Sequence, residues 1–193
     1  MPRKGEEQRR KIVSAANRLF YEQGFHATSL TDIAQGCAIP KGNFYFYFKS
    51  KDDILDAVAG DRIDRLRRLL RDWEDEFAEP LDRLVRASEM IVREGLQITR
   101  YGCPTGSLLL ELSKQERELE RNALPLFDLL LEWLERQFAL IAGPDTAPAL
   151  SRRMLVRMQG ASILSAVHDD SAWLIEEQQS IVEWLRDIAR PDP

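Results

Sequence analysis

Cysteine and histidine are scarce in this chain, with two of each among 193 residues. Two isolated thiols, Cys37 and Cys103, build no disulfide framework, so a reducing cytoplasm is the expected setting. Two histidines with no second donor cluster at ligand spacing give no metal site. No glycine-rich loop follows a strand pattern and no nucleophile–base pair stands out, so neither an enzyme nor a cofactor is expected. No apolar run approaches the ~20 residues needed to cross a bilayer. The opening MPRKGEEQRRK is charged and lacks an apolar stretch behind it, so no signal peptide is expected. Internal repeats, low-complexity segments and convincing strands are missing too.

The charge is unevenly spread. The net charge is −5. Residues 1–51 hold nine Lys/Arg and four acids, a surplus of +5, which leaves −10 for the rest. A basic head on an acidic body fits a phosphate-binding module joined to one that does not bind phosphate.

Helical periodicity fills the chain and predicts an all-α fold of about nine helices. Ile12, Ala15, Ala16, Leu19 and Phe20 make one apolar stripe. Gly24 reads as its C-terminal stop, with Phe25 placed for the following hydrophobic contact. Ser29-x-x-Asp32 reads as a capping box for a short helix ending near Gly36. After the turn Cys37-Ala38-Ile39, Pro40 suits the first turn of a third helix carrying KGNFYFYF. Ser50-Lys51-Asp52-Asp53 opens a long helix reaching about Asp75. Pro80 starts another, running to about Arg100. A short helix covers 105–113, and a long one from about 115 to 142 is kinked at Pro125. Two final helices are expected near 148–168 and 172–189. His168, Asp169 and Asp170 read as the turn between them.

Two short helices joined by a tight turn, the second basic and aromatic, have the form of a helix-turn-helix. Helix 40–46 would enter the major groove. Lys41 and Asn43 stand at its leading end, where lysine suits guanine O6/N7 and asparagine suits adenine. Tyr45 and Tyr47 carry hydroxyls suited to phosphates. Lys51, Thr28 and Ser29 lie at helix starts, where free N–H groups favour an anion. Five consecutive aromatic residues cannot all face inward, so Phe44 and Phe48 are assigned to the core. His26 reads as a surface residue or a phosphate contact, and Cys37 as a small buried hydrophobe.

The stretch Gly24-Phe25-His26-Ala27-Thr28-Ser29-Leu30-Thr31-Asp32-Ile33-Ala34, with Ile39-x-Lys41-Gly42-Asn43-Phe44-Tyr45-Phe46-Tyr47-Phe48-x-Ser50-Lys51-x-x-Ile54-Leu55, resembles the TetR family of bacterial repressors. The match covers about residues 8–58. It implies a helix-turn-helix domain over 1–50, with Thr28, Ser29, Thr31, Lys41, Gly42, Asn43, Tyr45, Tyr47 and Lys51 at the DNA. It also implies a ligand-binding and dimerisation domain over 51–193, and an Ω-shaped dimer. Ligand binding would move the helix that begins at Lys51. The family usually has Gly where this chain has Ala38, so the turn is either reshaped or relieved by Gly36.

The resemblance implies a pocket among the middle helices, with Trp73, Met90, Tyr101, Phe127 and Trp133 as candidates for an apolar or aromatic inducer. Gly102-Cys103-Pro104-Thr105-Gly106 is similar to a branch that senses electrophiles or oxidants. Cys103 near a helix start favours the thiolate there, with an inert thiol as the other reading. Leu155, Met158, Ser162, Ile163, Ala166, Ile181, Trp184, Leu185 and Ile188 form an apolar stripe that an isolated subunit would expose, which predicts a homodimer. The expected function is a repressor that binds a palindromic double-stranded DNA operator and is released by a small-molecule or thiol-reactive inducer. The alternative is a helical small-molecule-binding or scaffolding protein without sequence-specific DNA binding.

Overall fold

The computed structural model describes residues 4–115 and 123–190. Among them lie eleven helical segments: α1 Lys4–Gln23, α2 Leu30–Gly36, α3 Lys41–Tyr47, α4 Lys51–Glu76, α5 Pro80–Ser88, α6 Met90–Arg93, α7 Gly95–Tyr101, α8 Pro104–Gln115, α9 Pro125–Ala142, α10 Ala147–His168 and α11 Ala172–Ile188. Counting the stacked turns α5–α7 as one interrupted helix gives the nine that periodicity predicts. No strand occurs among the described residues.

Two expectations change. The helix from Pro80 is interrupted at Glu89, whose backbone stays right-handed helical, and at Glu94, whose backbone leaves that region, although neither is Gly or Pro. The helices restart because the backbone N–H groups of Arg93 and Ile98 reach the carbonyls of Glu89 and Glu94. Pro125 starts α9 instead of kinking a longer helix. Its ring lacks an N–H, and a first-turn position leaves that unpunished. The expected helix over residues 116–122 lies outside the described residues.

The chain forms two compact units. The first comprises residues 1–65 with 107–126, and the second 66–106 with 127–193. Residues of α4 therefore belong to both units. The first turns of α4 bury Ile54, Leu55, Val58 and Ala59, and Arg62 donates from Nε to Asn17 Oδ1 at 2.6 Å, tying α4 to α1. Within this unit α1 packs on α2 and α2 on α3. The apolar stripe of α1 is buried as its period demands: Ile12, Ala15, Ala16, Leu19 and Phe20 are all at most 7% exposed.

In the second unit α10 and α11 pack on each other, with α7 against α10 and with α5 and α6 against α11. Its core runs from Leu70 and Trp73 through Leu84, Trp133, Leu134 and Phe138 to Met154, Leu174, Ile181 and Leu185. A small polar network lies at its edge. Glu74 Oε1 accepts from Trp133 Nε1 at 2.8 Å and from Gln137 Nε2 at 3.4 Å, and Gln137 Oε1 accepts from Arg83 at 3.2 Å. Gln137 is only 2% exposed, so these bonds satisfy an amide that would otherwise be costly to bury. His168, Asp169 and Asp170 form the α10–α11 turn: Asp169 takes a left-handed φ of +51°, and the His168 ring stacks on Trp173.

Candidate nucleic-acid interface

The interface is built outward from the end of α1. Gly24 has φ +90°, and its N–H reaches Phe20 O, closing the helix. Phe25 then folds back edge-on against Phe20, with ring centroids 5.2 Å apart. The loop that follows is held by three side chains. The Thr28 hydroxyl donates to Gly24 O at 2.7 Å and Leu19 O at 3.3 Å. The Lys51 ammonium donates to the carbonyls of Phe25 at 3.0 Å, Thr28 at 3.2 Å and His26 at 3.5 Å, and sits 4.3 Å from the Phe25 ring centroid. From α8, the Glu111 carboxylate accepts the N–H groups of Phe25 at 2.9 Å and His26 at 2.8 Å.

This geometry corrects one DNA assignment and gives a second residue a structural task. Thr28 is 1% exposed and its hydroxyl is committed to the end of α1, so it offers nothing to a phosphate. Lys51 is a loop clamp: three carbonyls and a ring take up its ammonium. His26 is not a plain surface residue either. Its Nε2 is buried with no hydrogen-bond partner among the described residues, and its ring meets Phe25 edge-on.

Ser29 caps α2 as its spacing predicts. Its hydroxyl accepts from Asp32 N at 3.1 Å, and Asp32 Oδ2 accepts from Ser29 N at 2.8 Å and from the hydroxyl at 2.6 Å. These bonds hold the Asp32 carboxyl below its ordinary value, the hydroxyl contributing most and the backbone N–H next. Ser29 stays exposed and Thr31 half-buried.

The turn after α2 is a Schellman motif. Ala38 N–H reaches Gln35 O, and Ile39 N–H reaches Ala34 O. The left-handed residue is Ala38 itself, with φ +55°. The turn is thus neither reshaped nor relieved by Gly36, which stays in α2. Cys37 is half-exposed, not a buried hydrophobe, because it occupies the cap position; desolvation nevertheless pushes its thiol up.

α3 then runs over Lys41–Tyr47, a helix and not the strand its aromatic content allows. Phe44 and Phe48 point inward at 1% and 4% exposure. The Arg9 guanidinium covers the Phe48 ring at 4.8 Å. Asn43 is exposed, Tyr45 is 46% exposed and Tyr47 half-buried. Lys41 and Gly42 open the helix, and the Lys41 side chain lies outside the described residues. Phe46, which sequence reasoning leaves unassigned, is 82% exposed. Its signal was present, since residue 46 lies about 200° around the helix from the inward Phe44. Ser50 and Asp53 form the second capping box, at 3.0 and 3.1 Å.

The helix, turn and helix with its aromatic successor coincide with a match over residues 12–58 to the model of the bacterial regulatory proteins of the tetR family. Residues 12–58 thus carry the helix-turn-helix of the tetR family of bacterial regulatory proteins. An HTH-type transcriptional regulator from the lacX 3′ region of Lactococcus lactis subsp. lactis is 29% identical over 165 residues, covering 83% of this chain and 84% of the relative. The HTH-type transcriptional repressor KstR2 of Mycobacterium tuberculosis is 30% identical over 123 residues, covering 58% of this chain and 62% of its own length. The crystal structure of SCO4454, a TetR-family regulator from Streptomyces coelicolor, shares the fold with a TM-score of 0.81 at 19% identity, covering 96% of this chain and 97% of that one. With these matches the chain is a transcriptional regulator, and its described residues form an all-helical fold.

The inducer candidates all fall in the second unit, and they divide there. Trp73 and Trp133 are buried and meet edge-on at 5.7 Å, with Met90 packed on the same core. Tyr101 and Phe127 are half-buried, and the Arg100 guanidinium lies 5.2 Å from the Tyr101 ring. Cys103 precedes α8, and its Sγ accepts from Gly106 N and Gln159 Nε2, both at 3.4 Å. It therefore serves as the cap of that helix.

The dimer stripe read from sequence is corrected in phase. Met158, Ser162, Ile181 and Leu185 are buried inside the subunit; Leu155, Trp184 and Ile188 pack half-buried on the same core, and Ala166 is half-buried. Of that set only Ile163 is exposed. The outward apolar stripe is Val156, Gly160, Ile163, Leu164 and Val167 on α10, with Trp173 and Ile175 on α11. A groove of about 450 Å³ opens there between Gly160, Leu164, Trp173 and Glu177. The Arg157–Glu177 ion pair lies at its edge. No helix among the described residues is long and apolar enough to cross a membrane.

Proposed function

We propose that this TetR-family regulator is a cytoplasmic, homodimeric repressor that binds a palindromic operator through α3 and is released by a small-molecule inducer. The observation that carries this reading is the split of α3 into two faces. Phe44 and Phe48 anchor it, while Asn43, Tyr45 and Phe46 stand clear. A helix of this size fits the ~12 Å major groove. In this reading Asn43 and Lys41 read base edges and Gly42 lets the backbone approach. Tyr45, Tyr47, Ser29 and Thr31 hold phosphates.

The division of labour assigns DNA binding to residues 1–50 and ligand binding with dimerisation to 51–193. Dimerisation is assigned to the outward stripe of α10 and α11, because a contiguous apolar face of this kind rarely stays open to water. An isologous pairing would present two copies of α3 to successive turns of one DNA face, ~34–36 Å apart. The inducer is assigned to the second unit near Met90, Tyr101 and Phe127. Cys103 is assigned as the site through which a thiol-reactive inducer would act.

A footprint of the purified full-length protein on the DNA upstream of its own gene tests the reading. The expected result is protection of a palindrome, with more than ~10³-fold preference over random DNA. Binding without such preference would leave the scaffolding alternative. Full alkylation of Cys103 with no loss of operator binding would remove the thiol switch and leave the rest intact.

A further inference from the structure

We propose that Phe46 is a base-reading residue that packs its ring on the 5-methyl group of a thymine in each operator half-site. The inference rests on the operator-binding reading of α3 and deepens it. Phe46 is 82% exposed, more than any other aromatic residue among the exposed large hydrophobics. It lies on the face of α3 turned away from Phe44 and Phe48, one turn beyond the exposed Asn43. It is also held in place. The Tyr47 ring meets it edge-on, with centroids 5.3 Å apart and planes at 85°.

The chemistry of a phenyl ring narrows what it can meet. It has no donor or acceptor, so it cannot read a base by hydrogen bonding. Against a phosphate it would strip water from an anion and return nothing. The major groove displays one apolar group, the thymine methyl. An uncovered ring on the element that faces the groove is therefore matched to that methyl. Single exposed apolar residues are ordinary on a protein surface. This one differs because its surface is continuous with Asn43 and Tyr45 on the DNA-reading helix.

The test uses the full-length protein. Its preferred site is selected from random duplex DNA, and each thymine of that site is then replaced singly by deoxyuridine, which removes the methyl and nothing else. At one position per half-site, wild type should bind the uracil duplex about fourfold more weakly, the effect of one lost apolar carbon. Phe46→Ala should bind the thymine duplex more weakly by a similar factor and no longer distinguish thymine from uracil. Phe46→Leu should keep part of the discrimination. Because the residue is exposed, both variants should melt with wild type, which separates readout from folding. A selected site at which no thymine-to-uracil change matters, or at which Phe46→Ala keeps the wild-type ratio, overturns the proposal while the operator reading stands. Selection of no consensus overturns the operator reading, and this proposal with it.

Discussion

Lys51 and Glu111 grip the same residue from opposite sides: the ammonium takes the Phe25 carbonyl at 3.0 Å and the carboxylate takes the Phe25 N–H at 2.9 Å. The cation comes from the start of α4 and the anion from α8, far apart in sequence. Between them they satisfy backbone groups of a loop that has no helical ladder of its own. The loop leads straight into α2, so its shape sets where the capping box of Ser29 begins.

Replacing Glu111 should expose the dependence of this loop on a distant residue. Glu111→Ala leaves two part-buried N–H groups without an acceptor, a loss of about 1–3 kcal/mol. Glu111→Gln keeps one acceptor oxygen and should lose less. Chemical denaturation of the two variants checks the order. Equal losses would show that the carboxylate's two-oxygen geometry is immaterial.

Lys51→Ala should act on stability and leave the electrostatics of DNA binding alone. A charged donor shared among three carbonyls contributes about 2 kcal/mol. The slope of log affinity against log salt should match wild type. Lys41→Ala, at the base-reading end of α3, should instead relax sequence preference. A Lys51→Ala slope reduced by one unit would return Lys51 to the phosphate-binding set.

Ala38→Gly should stabilise the protein by roughly 0.5–1 kcal/mol. Removing the Cβ from a left-handed residue recovers about 1–2 kcal/mol, and the freer unfolded chain takes back part of it. Thermal melting reads the gain directly. A lower melting temperature for the Ala38→Gly variant would contradict the left-handed assignment.

The acid limb of the stability curve should carry the signature of Asp32. Its carboxyl titrates lower in the folded protein than in the unfolded chain, because Ser29 donates to its charged form. The contribution is therefore in place above the ordinary carboxylate range and disappears as pH falls through the lowered folded value. Ser29→Ala removes the hydroxyl, the larger cause, so the Asp32 titration followed by NMR should move up towards the ordinary range. An unmoved titration would assign the shift elsewhere.

Ile163→Glu and Val167→Glu should split the proposed dimer without unfolding the subunit, since both side chains are more than half exposed. Light scattering should report a monomer with unchanged helical content. A dimer that survives both changes would move the interface off α10.

What the sequence disclosed was what short-range physics decides. The Gly24 stop, both capping boxes and the inward Phe44 and Phe48 depend on neighbours within four residues, and each is found as read. The carboxylate on the loop was invisible because Glu111 is 86 residues from Phe25 and sits in an ordinary helical pattern. The loop contacts of Lys51 were invisible for a related reason: a cation at a helix start suits a phosphate, and only the folded chain reveals three carbonyls already there. On α10 apolar residues fall on two faces, Met154, Met158 and Ala161 inside, Val156, Ile163 and Val167 outside. A helix apolar on two sides has no phase to read until its neighbours are known.

The two left-handed positions flanking α2 are not equivalent under mutation. At residue 38 only the backbone resists a side chain, and the chain already carries an alanine there. At residue 24 a methyl group would also arrive 3.0 Å from the Glu111 carboxylate, which is pinned by two amides. A side chain at 24 is thus opposed by both torsion and crowding, and shortening the residue at 111 would relieve only the crowding.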